Sequence, residues 1–263
     1  MSNVIVRRLG FAVTVIATFW LGSSRANAQE AETETARVLP VGVVAAGVGF
    51  ELQTSGEGTE SAIPTIVEGG IANRLELVVE QVALTAIRPK TGTSATGLGD
   101  LEVTLVGLAL HERTNLPAIA LAAELKVPTA RNQLIGTRQP DYTSYLILSK
   151  RFGHLDMHFN ASYAIIGKPE GIASVDNIFG FGLLARYYLG KADLYAEVLG
   201  HTAAIPEVEG MDSAAELSGS ELFGTLGAGY WMTPWLQAFF CVSFDNNQAM
   251  LFHPGITIKH KLF

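Results

Sequence analysis

Residues 154–167 read HLDMHFNASYAIIG. Leu155, Met157, Phe159, Ala161, Tyr163 and Ile165 fall on one face of an extended chain, with His158, Asn160 and Ser162 on the other. Alternation at 180° per residue is the signature of a β-strand, because successive side chains leave a pleated backbone on opposite sides. Two further series repeat the pattern. Phe179, Phe181, Leu183, Ala185 and Tyr187 alternate with Gly180, Gly182 and Arg186, and Leu101, Val103, Leu105, Gly107 and Ala109 are opposed by Glu102 and Thr104. Strands in soluble proteins run about 5–6 residues, whereas a tilted strand crossing a bilayer needs ~9–11. The 154–167 segment meets the longer requirement, and its bulky face suits lipid while the smaller polar face suits a lumen.

Extended outward, this reading yields twelve strands near 41–51, 61–71, 74–87, 98–111, 116–128, 139–151, 154–167, 176–189, 191–201, 217–231, 234–244 and 252–263. Short connections (72–74, 112–115, 152–153, 190, 232–234) alternate with longer polar ones (52–60, 88–97, 129–138, 168–175, 202–216, 245–251). Transmembrane barrels combine short periplasmic turns with longer outer loops, and an even strand count returns both termini to the periplasm. The expected fold is an all-β, transmembrane antiparallel β-barrel of about 12 strands over residues 41–263, both termini periplasmic. Tyr187 and Tyr188 before Gly190, and Tyr230, Trp231 and Trp235 around Thr233-Pro234, are expected to contribute to aromatic girdles at the membrane interface.

The N-terminus supplies the compartment. Arg7 and Arg8, the uncharged run from Leu9 to Leu21, and Ala26-Asn27-Ala28 follow the order of a secretory signal peptide, expected to occupy residues 1–28. The apolar run is shorter than the ~20 residues of a spanning helix. Cleavage after Ala28 would remove three arginines and no acid, taking the formal charge from −7 to −10. Such acidity argues against nucleic acid, whose phosphates require a cationic surface. Residues 29–40, QEAETETARVLP, are expected to form a disordered periplasmic lead too short to plug the barrel. Cys241 has no second cysteine to pair with and is expected to act as a small apolar side chain.

Three segments carry a resemblance. Gly97-Leu98-Gly99-Asp100-Leu101 opens a strand, Glu124-Leu125-Lys126-Val127-Pro128-Thr129 closes one, and Asp141-Tyr142 leads to Leu148-Ser149-Lys150-Arg151-Phe152-Gly153. In this order and spacing they resemble the outer-membrane channel family associated with the meta-pathway of phenol degradation, most strongly between about 97 and 201. The resemblance implies a channel passing small, often aromatic compounds across the outer membrane. Such barrels usually end in an aromatic residue that the barrel-assembly machinery recognises. Phe263 meets this, but counting back by twos gives Lys261, Lys259 and Thr257, while Ile256, Ile258 and Leu262 occupy the other register. The last strand therefore either contains a bulge or takes its lipid face from that other register.

Charged residues within strands must avoid lipid, which makes Glu76, Glu80, Glu102, Glu124, Lys126, His158, Arg186 and Glu197 the candidate lumen lining. Either they form a constriction that selects solutes by charge and size, or they form a salt-bridge and hydrogen-bond network that holds a narrow barrel in shape. Glu124 and Lys126 share a face and are expected to pair. Twelve strands lie between the filled interior of about eight and the open channel of 16–18, so the lumen should be narrow, and its carboxylates should favour cations or neutral solutes.

Two other classes compete. A lipid hydrolase would need a nucleophile beside an oriented base, and His158 with Ser162, or His201 with Ser174 or Ser218, lacks a supporting motif. His111, His253 and His260 lack metal-ligand spacing, so neither catalysis nor a cofactor or metal is expected. A structural or adhesive barrel would act through loops such as 202–216. Gly224, Gly227 and Gly229 lie within a strand and read as close packing or bending. The expected partners are outer-membrane lipid, the barrel-assembly machinery through Phe263, and a small-molecule solute; the oligomeric state is left open.

Overall fold

The computed structural model describes residues 31–168, 174–204, 220–246 and 248–262. The signal-peptide reading, most of the 202–216 loop, Ser218 and the terminal Phe263 lie outside these residues.

The strands are β1 (Val43–Gly49), β2 (Glu51–Thr54), β3 (Gly58–Ala72), β4 (Leu75–Pro89), β5 (Ala95–Gly97), β6 (Leu101–Leu110), β7 (Ala118–Val127), β8 (Asp141–Phe152), β9 (Leu155–Ile165), β10 (Ile178–Leu189), β11 (Ala192–His201), β12 (Glu221–Thr233), β13 (Leu236–Asp245) and β14 (Met250–Lys261). β1 and β2 form one crossing interrupted at Phe50, and both pair with β3 and β14. β5 and β6 form another, interrupted at 98–100, and both pair with β4. Every pairing between named strands is antiparallel, and the β1–β14 pairing closes a twelve-strand barrel. Closure leaves no edge with unsatisfied backbone groups in the hydrocarbon.

The alternation read from 154–167 has the assigned sense. Phe159, Tyr163, Phe181, Leu183, Leu105, Leu121 and Leu226 are exposed on the outside, whereas Asp156, His158 and Asn160 are buried inside. In β14, Ile256, Ile258 and Leu262 face outward while Thr257 and Lys259 are buried, so the last strand takes its lipid face from the second register. No shift interrupts its pairing with β13 or β1. Of the expected girdle residues, Tyr187, Tyr230 and Trp235 are exposed, but Tyr188 is buried and stacks under the Arg151 guanidinium, 5.1 Å from the ring centroid.

The lead departs from expectation. Residues 31–40 run in the lumen with Ala31, Thr33, Ala36 and Leu39 at most 3% exposed. The wall made room for them. Ala45, Ala118, Ala120 and Ala122 present small inward side chains that, with Ile66, Val78, Val106, Leu108 and Ile147, form an apolar inner sector against which Ala36 and Leu39 pack. Twelve residues do not make a domain, but a narrow lumen needs only one extended segment to fill much of its cross-section.

Candidate functional site

The site is the lumen. An extended segment without a strand partner must still satisfy its N–H groups, and here wall side chains accept them. Glu197 takes the N–H groups of Glu32 (3.4 Å) and Thr33 (2.6 Å). The Asn160 amide accepts from the Glu34 N–H at 2.6 Å and donates to the Glu34 carbonyl at 2.9 Å. The Ser149 hydroxyl accepts from the Ala36 N–H at 2.9 Å, and Glu76 accepts from the Leu39 N–H at 2.7 Å. These anchors stand on β4, β8, β9 and β11, so the segment crosses from one wall to the other.

Its charged fastening is Arg37. The guanidinium meets Asp156 at 2.7 Å and Glu112, in the β6–β7 connection, at 2.8 Å. Arg151 also pairs with Asp156, and Lys150 reaches Glu112 at 3.1 Å. Burial alone would raise the Glu112 carboxyl. The Arg151 N–H, at 3.0 Å, and the Arg37 and Lys150 side chains outweigh that and hold it below its ordinary 4.5.

The remaining candidates lie on the same inner face. Glu80 sits across from Glu102, which sits across from Lys126. The expected Glu124–Lys126 pair is replaced by two separate arrangements. Lys126 is bound to Asp141 across the β7–β8 ladder, while Glu124 accepts from the Tyr145 hydroxyl at 2.9 Å, Thr143 at 3.3 Å and Thr104 at 3.4 Å. Cross-strand neighbours lie closer than residues two apart on one strand, so Asp141 wins the lysine. Arg186 approaches Asp193 at 3.6 Å and stacks on Tyr195 at 5.1 Å from the ring centroid.

Sequence reasoning missed Arg37, Glu112, Ser149, Asp156, Asn160 and Asp193 as site residues. Asp156 and Asn160 were available from the alternation that exposed His158. Ser149 was not, because its role depends on the β8–β9 register that places it opposite His158.

That register assembles serine, histidine and aspartate. The Ser149 hydroxyl is 2.8 Å from His158 Nδ1, but His158 Nε2 is 3.9 Å from Asp156. The hydroxyl also holds Ala36, and the carboxylate is clamped by Arg37 and Arg151. A triad needs the acid hydrogen-bonded to the base and the nucleophile open to substrate. This cluster instead fastens the inner segment. His158 thus meets Ser149 across the ladder rather than Ser162 on its own strand, and His201 lies 3.3 Å from Glu221. Among the described residues no group of three or more His, Cys, Asp or Glu is arranged to hold a metal.

No family model and no curated protein matches the sequence. Solved structures do match. The COG4313 outer membrane channel from Pseudomonas putida F1 is 14% identical over 85% of this chain and 97% of its own, with a TM-score of 0.65. The NanC porin is 12% identical with a TM-score of 0.58, and the KdgM porin in complex with disordered oligogalacturonate is 10% identical with a TM-score of 0.54; each match covers 81% of this chain and 98% of the porin. At these identities the likeness is one of fold: the chain is built as an outer-membrane channel barrel is built.

Proposed function

We propose that this chain is an outer-membrane channel for passive passage of small molecules, with both termini in the periplasm and its lumen narrowed by residues 31–40. The observation that carries the reading is a closed barrel with an apolar outer face whose interior is charged and crossed by one short segment. The acid-rich wall of Glu76, Glu80, Glu102, Glu124 and Glu197 favours cations and neutral solutes over anions. Glu76 and Glu197 have a second task as anchors of the segment. The narrowness of the passage suits the small, often aromatic compounds that the sequence resemblance implies.

The test is reconstitution of the refolded mature protein in planar bilayers, with reversal potentials measured in a salt gradient. Stepwise conductance with cation preference is expected. Anion selectivity would remove the assignment of Glu80, Glu102 and Glu124 as the selecting wall. A silent bilayer from correctly folded protein would remove the channel.

A further inference from the structure

The β7–β8 connection, residues 128–140, is an ordered platform at the long-loop end of the barrel. Ile135 and Ala130 are buried with Ala95, and Ile87 and Leu134 pack against them. The Asp100 carboxylate accepts the Ala130 N–H at 2.9 Å. Asn132 organises the turn, its side chain accepting from the Leu134 N–H at 2.9 Å and its carbonyl from the N–H groups of Ile135 and Gly136. Gly136 fits where a Cβ would lie 2.6 Å from both Ala130 and Asp100.

This platform carries Arg131 and Arg138. Both are exposed, and Arg138 Nη2 donates to the Arg131 carbonyl at 2.6 Å, which holds the Arg138 guanidinium against the Arg131 backbone. With Asn132, Gln133 and Leu134 they line an open cleft of about 460 Å³ that contains no carboxylate. Arg88 and Lys90, exposed on the adjoining β4–β5 segment, extend the cationic surface; Glu57, exposed on the β2–β3 connection, flanks it beside Lys90. Asp141, which follows the connection in sequence, is buried and bound to Lys126, and Asp100 is turned onto the Ala130 N–H. Below the platform the outer face is apolar, with Leu98, Leu125 and Tyr142 exposed and Leu125 opposite Tyr142 in the ladder.

We infer that this cleft docks the phosphorylated headgroup of an outer-leaflet glycolipid. Guanidinium groups match phosphate oxygens in pairs, the two amides suit sugar hydroxyls, and the apolar belt beneath seats the acyl chains of the same molecule. A free anion would use the cleft but not the belt. The inference rests on the outer-membrane reading with the long loops outward.

The experiment titrates the refolded mature protein, in detergent and low salt, with lipopolysaccharide, with the same lipopolysaccharide after enzymatic dephosphorylation, and with inorganic phosphate. Native lipopolysaccharide should bind with an affinity that falls as salt rises. The R131E/R138E double variant should bind roughly tenfold more weakly or worse, since each cation near an anionic surface contributes appreciably. R113E, at the opposite rim, should bind as the unaltered protein does. Heat-modifiable gel mobility confirms that each variant is folded. Equal affinity for the dephosphorylated lipid, or no loss in the double variant, overturns the inference; so does inorganic phosphate binding as tightly as the glycolipid. Folded, conducting protein that fails here leaves the channel reading standing, whereas protein that forms no barrel fails that reading first.

Discussion

Gly227 shows how one side chain's absence shapes the wall. A Cβ there would lie 2.1 Å from Tyr195 Cζ and 2.3 Å from its hydroxyl, because the two are ladder partners and the tyrosine ring lies across the glycine. That placement lets Arg186 stack on the ring beside Asp193. Gly227→Val should therefore destabilise the barrel by about 1–3 kcal/mol, the usual cost of overpacking a filled interior. The check is the temperature at which heat-modifiable mobility is lost, and Tyr195→Ala in the same chain should recover part of the loss. A merely flexible glycine would show no such coupling. Close packing was legible from the Gly224/Gly227/Gly229 spacing, but not which glycine carried it: Gly224 has nothing within 4 Å of its virtual Cβ.

The inner segment is the element that sequence reasoning misjudged, and the reason is physical. Residues 29–40 have no alternating bulk and many acids, which is also the composition of a disordered tail. What orders residues 31–40 is a set of acceptors contributed by β4, β8, β9 and β11, brought together only when the barrel closes. Removing residues 31–37 should therefore leave a folded barrel with several-fold higher conductance, because the deleted segment crosses the lumen while closure depends on the strand ladders. An unchanged conductance in planar bilayers would show that ions pass elsewhere. Arg37→Ala should act in the same direction more weakly, as fluctuating openings, since the backbone anchors remain. The latch also has a pH window. Because Glu112 titrates below its ordinary 4.5 in the folded protein, its contribution is present at neutral pH and is lost as pH falls through that lowered value. Acidification should raise conductance reversibly in that window, and Glu112→Gln should show the higher level already at neutral pH.

At the scale of the whole molecule, the outer face determines where the protein can reside. The twelve crossings were legible because period-two alternation survives whatever the loops do, and because the required strand length is set by the bilayer. The inner face was legible as polar, but not as partly apolar. Ala118, Ala120 and Ala122 alternate with Ile119, Leu121 and Ala123, so apolar residues occupy both faces of β7 and period alone cannot tell a lipid contact from a packing contact. The structure separates them: Leu121 and Leu226 are 58% and 64% exposed on the outside, whereas Ala120 is 0% exposed within. That separation gives opposite expectations for one chemical change. Leu226→Arg or Leu121→Arg places a guanidinium in hydrocarbon near the middle of a crossing and should cost about 2–4 kcal/mol of stability in a bilayer. In detergent the cost should be smaller, because a micelle deforms to admit water. Leu226→Phe should be close to neutral in both. Denaturant titrations of the refolded protein in lipid vesicles and in micelles measure the difference directly. If the arginine variants are as stable in vesicles as the unaltered chain, these leucines do not face lipid, and the bulky alternate residues from β1 to β14 are packing against protein.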